Sequence, residues 1–330
     1  MKDWTMLRII ILTGLAAIAL TIFYKLPALV GLPSANHLRV IAVFKMTDFS
    51  NTFWRSVRDG CLSAAADENI EVQIKGPLDE NSVEEQIKTM EDAIAEKPNA
   101  IILAASDYTR LVPVVRAATA RGIPVISVDS FINTDDAVCR IGTDNLAAGR
   151  ACAHSLLTQI PANAKIAIFS YTRDSSTAIE RERGLRESLG HGHPLLPTEY
   201  GNADSETSYR QARRILRDNP GLAGMVALNE PTLQGVAQAL RESGQSGSVA
   251  LIGIDSSLKI LKYLEAGVIR STIVQQPFNM GYRGIAIVRT VLTGGKIEKF
   301  YDTGIANITR ATMFSSKNQK LLFPFNDNTH

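Results

Sequence analysis

The sequence predicts an α/β fold built as two lobes around parallel sheets, and three observations carry that reading. From residue 38 onward, short β-branched runs alternate with longer amphipathic segments, which is the rhythm of repeated βαβ units. Several runs are apolar at nearly every position, as strands covered by helices on both faces must be. The rhythm falls into two blocks, residues 38–142 and 165–273, and a chain of 330 residues is long for a single core.

Strands are expected at residues 38–44, 70–75, 100–104, 124–129, 164–169, 224–228, 249–254 and 269–275. Between the second and third, Val83, Ile87, Met90 and Ile94 recur at helical spacing beside Glu84, Glu85, Glu91 and Asp92, so one stripe is buried and the other wetted. Gly122-Ile123-Pro124 closes a helix and opens a strand, because glycine accepts a left-handed cap and proline cannot extend a helix. Similar punctuation recurs at Gly221 and Gly244. The blocks join near Thr143-Asp144-Asn145 and Gln275-Gln276, and a helix near 281–292 and a strand near 301–305 follow.

At the amino terminus, Lys2 and Arg8 precede an uncharged run, residues 9–24, that has no polar face. This is the layout of a secretory n-region and h-region, with the amino terminus on the cytoplasmic side and the rest of the chain exported. Lys25 interrupts the run, and the stretch after it offers no clean small-x-small site. A cleaved signal peptide and a retained inner-membrane anchor therefore both stay open for residues 1–36.

Hydrophobic residues at 45% and charged residues at 21% describe a chain that folds. With 35 basic against 33 acidic side chains and no basic block, nucleic acid is not an expected partner. Cys61, Cys139 and Cys152 are too few and too scattered for a disulfide framework or a metal cluster. Cys61 and Cys152 read as packing residues, with a Cys139 to Cys152 bridge as the alternative. His191 and His193 sit in a Gly-rich turn and read as an exposed loop rather than a metal site. The loop after the first strand, residues 44–50, has no glycine, so a dinucleotide pyrophosphate cannot approach it. No Gly-x-Ser-x-Gly elbow, phosphate loop or His-Glu-x-x-His occurs. The expectation is a protein that is not an enzyme, with no catalytic residue, cofactor or metal.

In open parallel sheets, ligands gather beyond the carboxyl ends of the strands. Those loops hold Asn51, Phe53, Trp54, Asp129, Asn229, Glu230, Asp255 and Gln275. Carboxylates and amides match vicinal hydroxyls, and flat aromatics cover the C–H face of a sugar ring. Each polar member is also a residue type common in caps and turns.

Four stretches resemble the periplasmic sugar-binding proteins of ABC importers, in the ribose-binding branch of the type I superfamily. They are Ser50-Asn51-Thr52-Phe53-Trp54 with Asp59-Gly60; residues 123–129 ending in Asp129; Thr143-Asp144-Asn145 with Ala148-Gly149; and Arg181-Glu182-Arg183-Gly184. Residues 251–255 and 272–277 fall where the family has its later pocket strands. The resemblance implies two Rossmann-like lobes joined by a three-crossing hinge, with crossings near Thr143-Asp144, Gln275-Gln276 and residues 303–305. It carries ligand contacts onto Asn51, Phe53, Trp54, Asp129, Arg183, Asn229, Asp255 and Gln275, with Phe53 and Trp54 sandwiching the ring and Arg183 offering a planar fork of donors.

Two departures stand out: Ser130 where the family has an arginine, and Ser205 where it has a third aromatic. A roomier and less basic pocket is expected from them. Lys45 is read as a solvated surface lysine, its alternative being a positive charge at the pocket rim.

With the targeting segment read at 1–36, the resemblance implies a binding domain at 37–308, which leaves a tail at 309–330. Lobe one spans 37–142 plus 276–303, and lobe two spans 143–275 plus the last crossing. The implied role is extracytoplasmic capture of a small polar ligand, a sugar or related polyol, by hinge closure for an ABC permease. The alternative is a membrane-tethered sensor reporting to a membrane kinase or chemoreceptor. Sugar-responsive repressors share the fold but need an amino-terminal helix-turn-helix, and a hydrophobic segment occupies that place here.

Overall fold

The computed structural model describes residues 38–323. The amino-terminal hydrophobic segment, and with it the choice between signal peptide and anchor, lies outside the described residues. Among the described residues, no helix is long and apolar enough to cross a membrane.

Two six-stranded sheets form the body. The first holds β1 (Leu38–Val43), β2 (Ile70–Lys75), β3 (Ala100–Leu103), β4 (Val125–Val128), β5 (Cys139–Gly142) and β11 (Phe300–Asp302), in the order β11-β5-β4-β3-β1-β2. The second holds β6 (Lys165–Ser170), β7 (Glu199–Tyr200), β8 (Leu222–Ala227), β9 (Ala250–Ile254), β10 (Ser271–Val274) and β12 (Ala306–Thr309), in the order β12-β10-β9-β8-β6-β7. Strands run parallel from β11 to β1 and from β10 to β7, and β12 is antiparallel to β10. Registers such as Val43 opposite Leu103 bring the carboxyl ends of neighbouring strands level along one edge of each sheet.

Strands β3, β4, β9 and β10 are buried at every position, because helices cover both faces. The first lobe carries α1 (Thr52–Glu68), α2 (Val83–Ala95), α3 (Val112–Thr119), α9 (Pro277–Ala286) and α10 (Val288–Leu292). The second carries α4 (Asn145–Leu157), α5 (Ser176–Leu189), α6 (Ser205–Asp218), α7 (Glu230–Glu242), α8 (Leu258–Glu265) and α11 (Ser316–Leu322). Ile41, Val43, Met90, Ile94 and Leu103 centre one core. Phe169, Met225, Val236 and Leu251 centre a second, and Ile166, Leu185, Ile252 and Ile273 a third on the opposite face of the second sheet.

The chain passes between the sheets at Thr143-Asp144, at Gln275-Gln276 and at residues 303–305. The first and third crossings are tied together: Thr303 N donates to Gly142 O at 2.9 Å and Asp144 N to Asp302 Oδ1 at 3.2 Å.

Most strands start and stop within two residues of the sequence reading, but β5, β7 and β12 were not read from the sequence. The helix near 281–292 begins earlier, at Pro277, and divides at Ile287 into α9 and α10. The segment expected as a tail folds back: Met313 is buried and Leu321 and Leu322 of α11 pack on the second lobe. All three cysteines are free and buried, so Cys139 and Cys152 form no bridge. Burial pushes the Cys61 and Cys152 thiols up to about 12, as packing residues require.

Candidate functional site

The carboxyl ends of the two sheets face each other across a cleft with about 320 Å³ of atom-free space, part of it open to solvent. Asn51, Phe53, Trp54 and Asp129 enter from the first lobe, Asn229 and Asp255 from the second, and Gln275 from the hinge. Seven of the eight expected contacts are thus brought together.

Asn51 and Asn229 reach the cleft by the same local device. Each is the N-cap of the helix that follows its strand: Asn51 Oδ1 accepts from Trp54 N at 3.1 Å and Asn229 Oδ1 from Thr232 N at 3.2 Å. Capping consumes the oxygen, and among the described residues neither Nδ2 amide has a hydrogen-bond partner, so each can donate to a ligand oxygen.

Asp129 and Asp255 directly follow β4 and β9 with positive φ, 56° and 81°. Gln275 Nε2 and Glu230 N donate to the two oxygens of Asp255 at 2.5 and 3.0 Å. Gln275 itself is 3% exposed, and its Oε1 has no partner among the described residues. Burial pushes the Asp255 carboxyl upward while the Arg181 charge opposes the shift.

The eighth contact is corrected. Arg183 points outward, 56% exposed, in an i,i+4 pair with Glu187. The arginine in the cleft is Arg181, which is 3% exposed and donates through Nε to Asn145 Oδ1 and through Nη1 to Leu228 O, both at 2.8 Å. Residues two apart on a helix point about 200° apart, so only one of the pair faces the site. Packing selects Arg181: α4 lies so close to α5 that a Cβ on Gly149 would meet the Arg181 carbonyl oxygen at 2.1 Å.

The aromatic sandwich is also corrected. Phe53 and Trp54 stand edge to face, centroids 5.3 Å apart at 79°, which leaves no slot between them. Trp54 is 1% exposed, leans on Phe44 and donates Nε1 to Glu80 Oε1 at 3.0 Å. Phe53 is the half-buried ring facing the cleft.

Lys45 is buried, not solvated. Its Nζ donates to Ser130 Oγ at 2.8 Å and pairs with Asp129 at 3.3 Å and Glu80 at 3.7 Å. Burial alone would lower its pKa, but the charges of Glu80 and Asp129 outweigh that and hold it above the usual range. The room expected beside Ser130 is therefore filled, by Lys45 and by a hydroxyl chain of Ser175, Thr177 and Tyr171. Ser205 begins α6 away from the cleft, and Tyr171, after β6, is a lining aromatic that sequence reasoning missed. Its strand-end position was the one available signal. Asp107 caps its own turn through Thr109 N and Arg110 N.

Protein groups also meet directly across the cleft. Phe131 N donates to Ser176 Oγ at 2.7 Å, Tyr108 N to Asp174 O at 2.7 Å, Asn81 Nδ2 to Asn202 O at 3.0 Å, and Thr52 Oγ1 to Glu230 Oε2 at 2.8 Å. These bonds join the two lobes across the cleft. Polar groups from both lobes thus converge on one small, desolvated space, which suits binding of a polyhydroxylated solute.

Residues 41–296 match the family model of the periplasmic binding protein domain, and the chain belongs to that family. It is a binding protein rather than an enzyme, as are the relatives it matches. Among these, the D-ribose/D-allose-binding protein of Pseudomonas aeruginosa is 24% identical over 258 residues, 76% of this chain and 81% of that protein. A ribose import binding protein of Escherichia coli is 23% identical, covering 80% and 89% of the two chains. A carbohydrate transporter solute-binding protein from Agrobacterium radiobacter, solved with D-arabinose, superposes with a TM-score of 0.84 at 29% identity, covering 88% of this chain and 100% of that one. A solute-binding protein from Agrobacterium vitis with bound D-fucose gives 0.83 at 28% identity, covering 86% and 99%.

Proposed function

We propose that this chain is an extracytoplasmic solute-binding protein that captures a sugar or related polyol between its lobes by hinge closure and hands it to an ABC permease. The observation that carries the reading is the set of unspent polar groups in the cleft. Among the described residues, Asn51 and Asn229 keep donor amides without a partner after capping, and Gln275 keeps a buried acceptor oxygen. Hydroxyl groups, each donor and acceptor at once, satisfy such a set without leaving buried partners unpaired. The sugars named for the relatives support the class. Phe53 offers an apolar face to ring C–H groups.

Thermal-shift titration of the full-length chain against pentoses, hexoses and alditols tests the reading. A true ligand binds the folded form alone and raises the melting point as its concentration passes the Kd, by linkage worth about 2.7 kcal/mol at 100 Kd. A folded protein that responds to no member of the panel overturns it.

A further inference from the structure

The charges lining the cleft do not balance. Glu80, Asp129, Glu230 and Asp255 supply four carboxyls, against the cations of Lys45 and Arg181. Lys45 is fully committed to Asp129, Glu80 and Ser130 on the first lobe. Arg181 is held by Asn145 and Leu228, and its charge acts on Asp255 and Asp129.

Glu230 is left without a cation at ion-pair distance among the described residues. Its oxygens are met by neutral groups, Thr52 Oγ1 at 2.8 Å and Gln234 Nε2 at 3.0 Å. Burial pushes its carboxyl up to about 7, the Thr52 hydrogen bond opposing and the Asp255 charge adding to the rise. Glu230 is contiguous with Asp255, through Glu230 N to Asp255 Oδ2 at 3.0 Å, and Asp255 with Gln275, at 2.5 Å. The group in this cluster without a partner among the described residues, Gln275 Oε1, is again an acceptor. One wall of the cleft is therefore lined by two buried carboxyls and an amide oxygen, with no cation paired to Glu230 among the described residues, and a ligand that brings both donors and positive charge stabilises the ionised form of such a wall.

We infer that the preferred ligand is a polyol bearing a protonated amine, an amino sugar or amino alditol, whose ammonium is received by Glu230, Asp255 and Gln275. This rests on the reading of the cleft as a polyol site. An ammonium carries three donors and no acceptor, which matches that wall, and the free amides of Asn51 and Asn229 are left for the hydroxyl oxygens.

Calorimetry on the full-length chain at pH 7 tests it with matched sets, in which each pentose, hexose or alditol is run beside its amino and its acid or phosphate derivative. The amino member of the binding set is expected to bind about tenfold or more tightly than its neutral parent, and the anionic member most weakly. In Glu230→Gln, folded by circular dichroism, the amine-to-neutral affinity ratio is expected to fall at least about fivefold. A neutral parent that binds as tightly as its amine, or an unchanged ratio in the variant, overturns the inference and leaves the polyol reading standing. Binding by no member of any set overturns both.

Discussion

Asp129 and Asp255 are equivalent residues of the two lobes. Each directly follows a central strand with positive φ, and each donates its N–H to the neighbouring strand, Asp129 to Ile141 O and Asp255 to Ile273 O, both at 2.9 Å. Both carboxylates line the cleft, Asp129 held by Lys45 and Ser130 and Asp255 by Gln275 and the Glu230 N–H. Asp and Asn tolerate the positive-φ conformation better than residues without a short polar side chain, and strain held in place by surrounding structure is common at binding sites.

Two substitutions at Asp255 therefore separate charge from backbone. Asp255→Asn keeps the backbone preference, and its expected effect is a loss of affinity of about tenfold or more with little change in stability. Asp255→Ala is expected to lose affinity similarly and, in addition, about 1–2 kcal/mol of stability at the left-handed position. Calorimetry and urea unfolding measure both. If Asp255→Asn binds every ligand of the parent equally well, the carboxylate is not a contact.

Closure is expected to depend on contacts between the lobes as well as on the ligand. Ser176→Ala removes the acceptor for Phe131 N and leaves that buried donor unpaired. About 1–3 kcal/mol less stability for the closed form follows, and ligand affinity weakens with it. Small-angle scattering should show the parent compacting on saturation with ligand, and the variant compacting only at higher concentration. No compaction in the parent would count against hinge closure.

Lys45 is expected to be a folding residue more than a contact. Lys45→Ala leaves Glu80 and Asp129 buried without their shared cation, a situation that costs about 3–5 kcal/mol. Denaturant titration reads the loss directly. A variant as stable as the parent would mean that water already screens this pair.

Glu230 makes stability depend on pH. Its carboxyl is raised from the ordinary 4.5 to about 7 in the folded protein, so the fold takes up a proton that the unfolded chain releases. The associated stability is fully present below about 4.5 and is lost as pH rises through about 7, on the order of 3 kcal/mol over the window. Unfolding at pH 5, 6, 7 and 8 without ligand should show this slope in the parent and a flatter one in Glu230→Gln. Identical slopes would assign the dependence elsewhere.

Much of this protein was legible in order along the chain. The α/β class, the two sheets and most strands follow from hydrophobic period, because a strand buried on both faces must be apolar throughout. The strands that escaped reading are short or marginal: β5 exposes Arg140, β7 has two residues, and the exposed Asn307 interrupts β12. Asn51 and Asn229 look like plain helix caps in the sequence. They are caps, and the geometry that makes them so also frees their amides for the cleft.

What the sequence by itself determined is the set of strand ends and the residue types placed there, since both follow from local periodicity and turn chemistry. Only the tertiary structure decided which side chains meet. It chose Arg181 over Arg183 through the facing of one helix, turned Lys45 from a surface lysine into a buried cation between Glu80 and Asp129, and brought Tyr171 and Glu230 to the same cleft. These outcomes depend on contacts between residues far apart in the chain, and the energy of burying a charge depends on what stands opposite it, which no local pattern encodes.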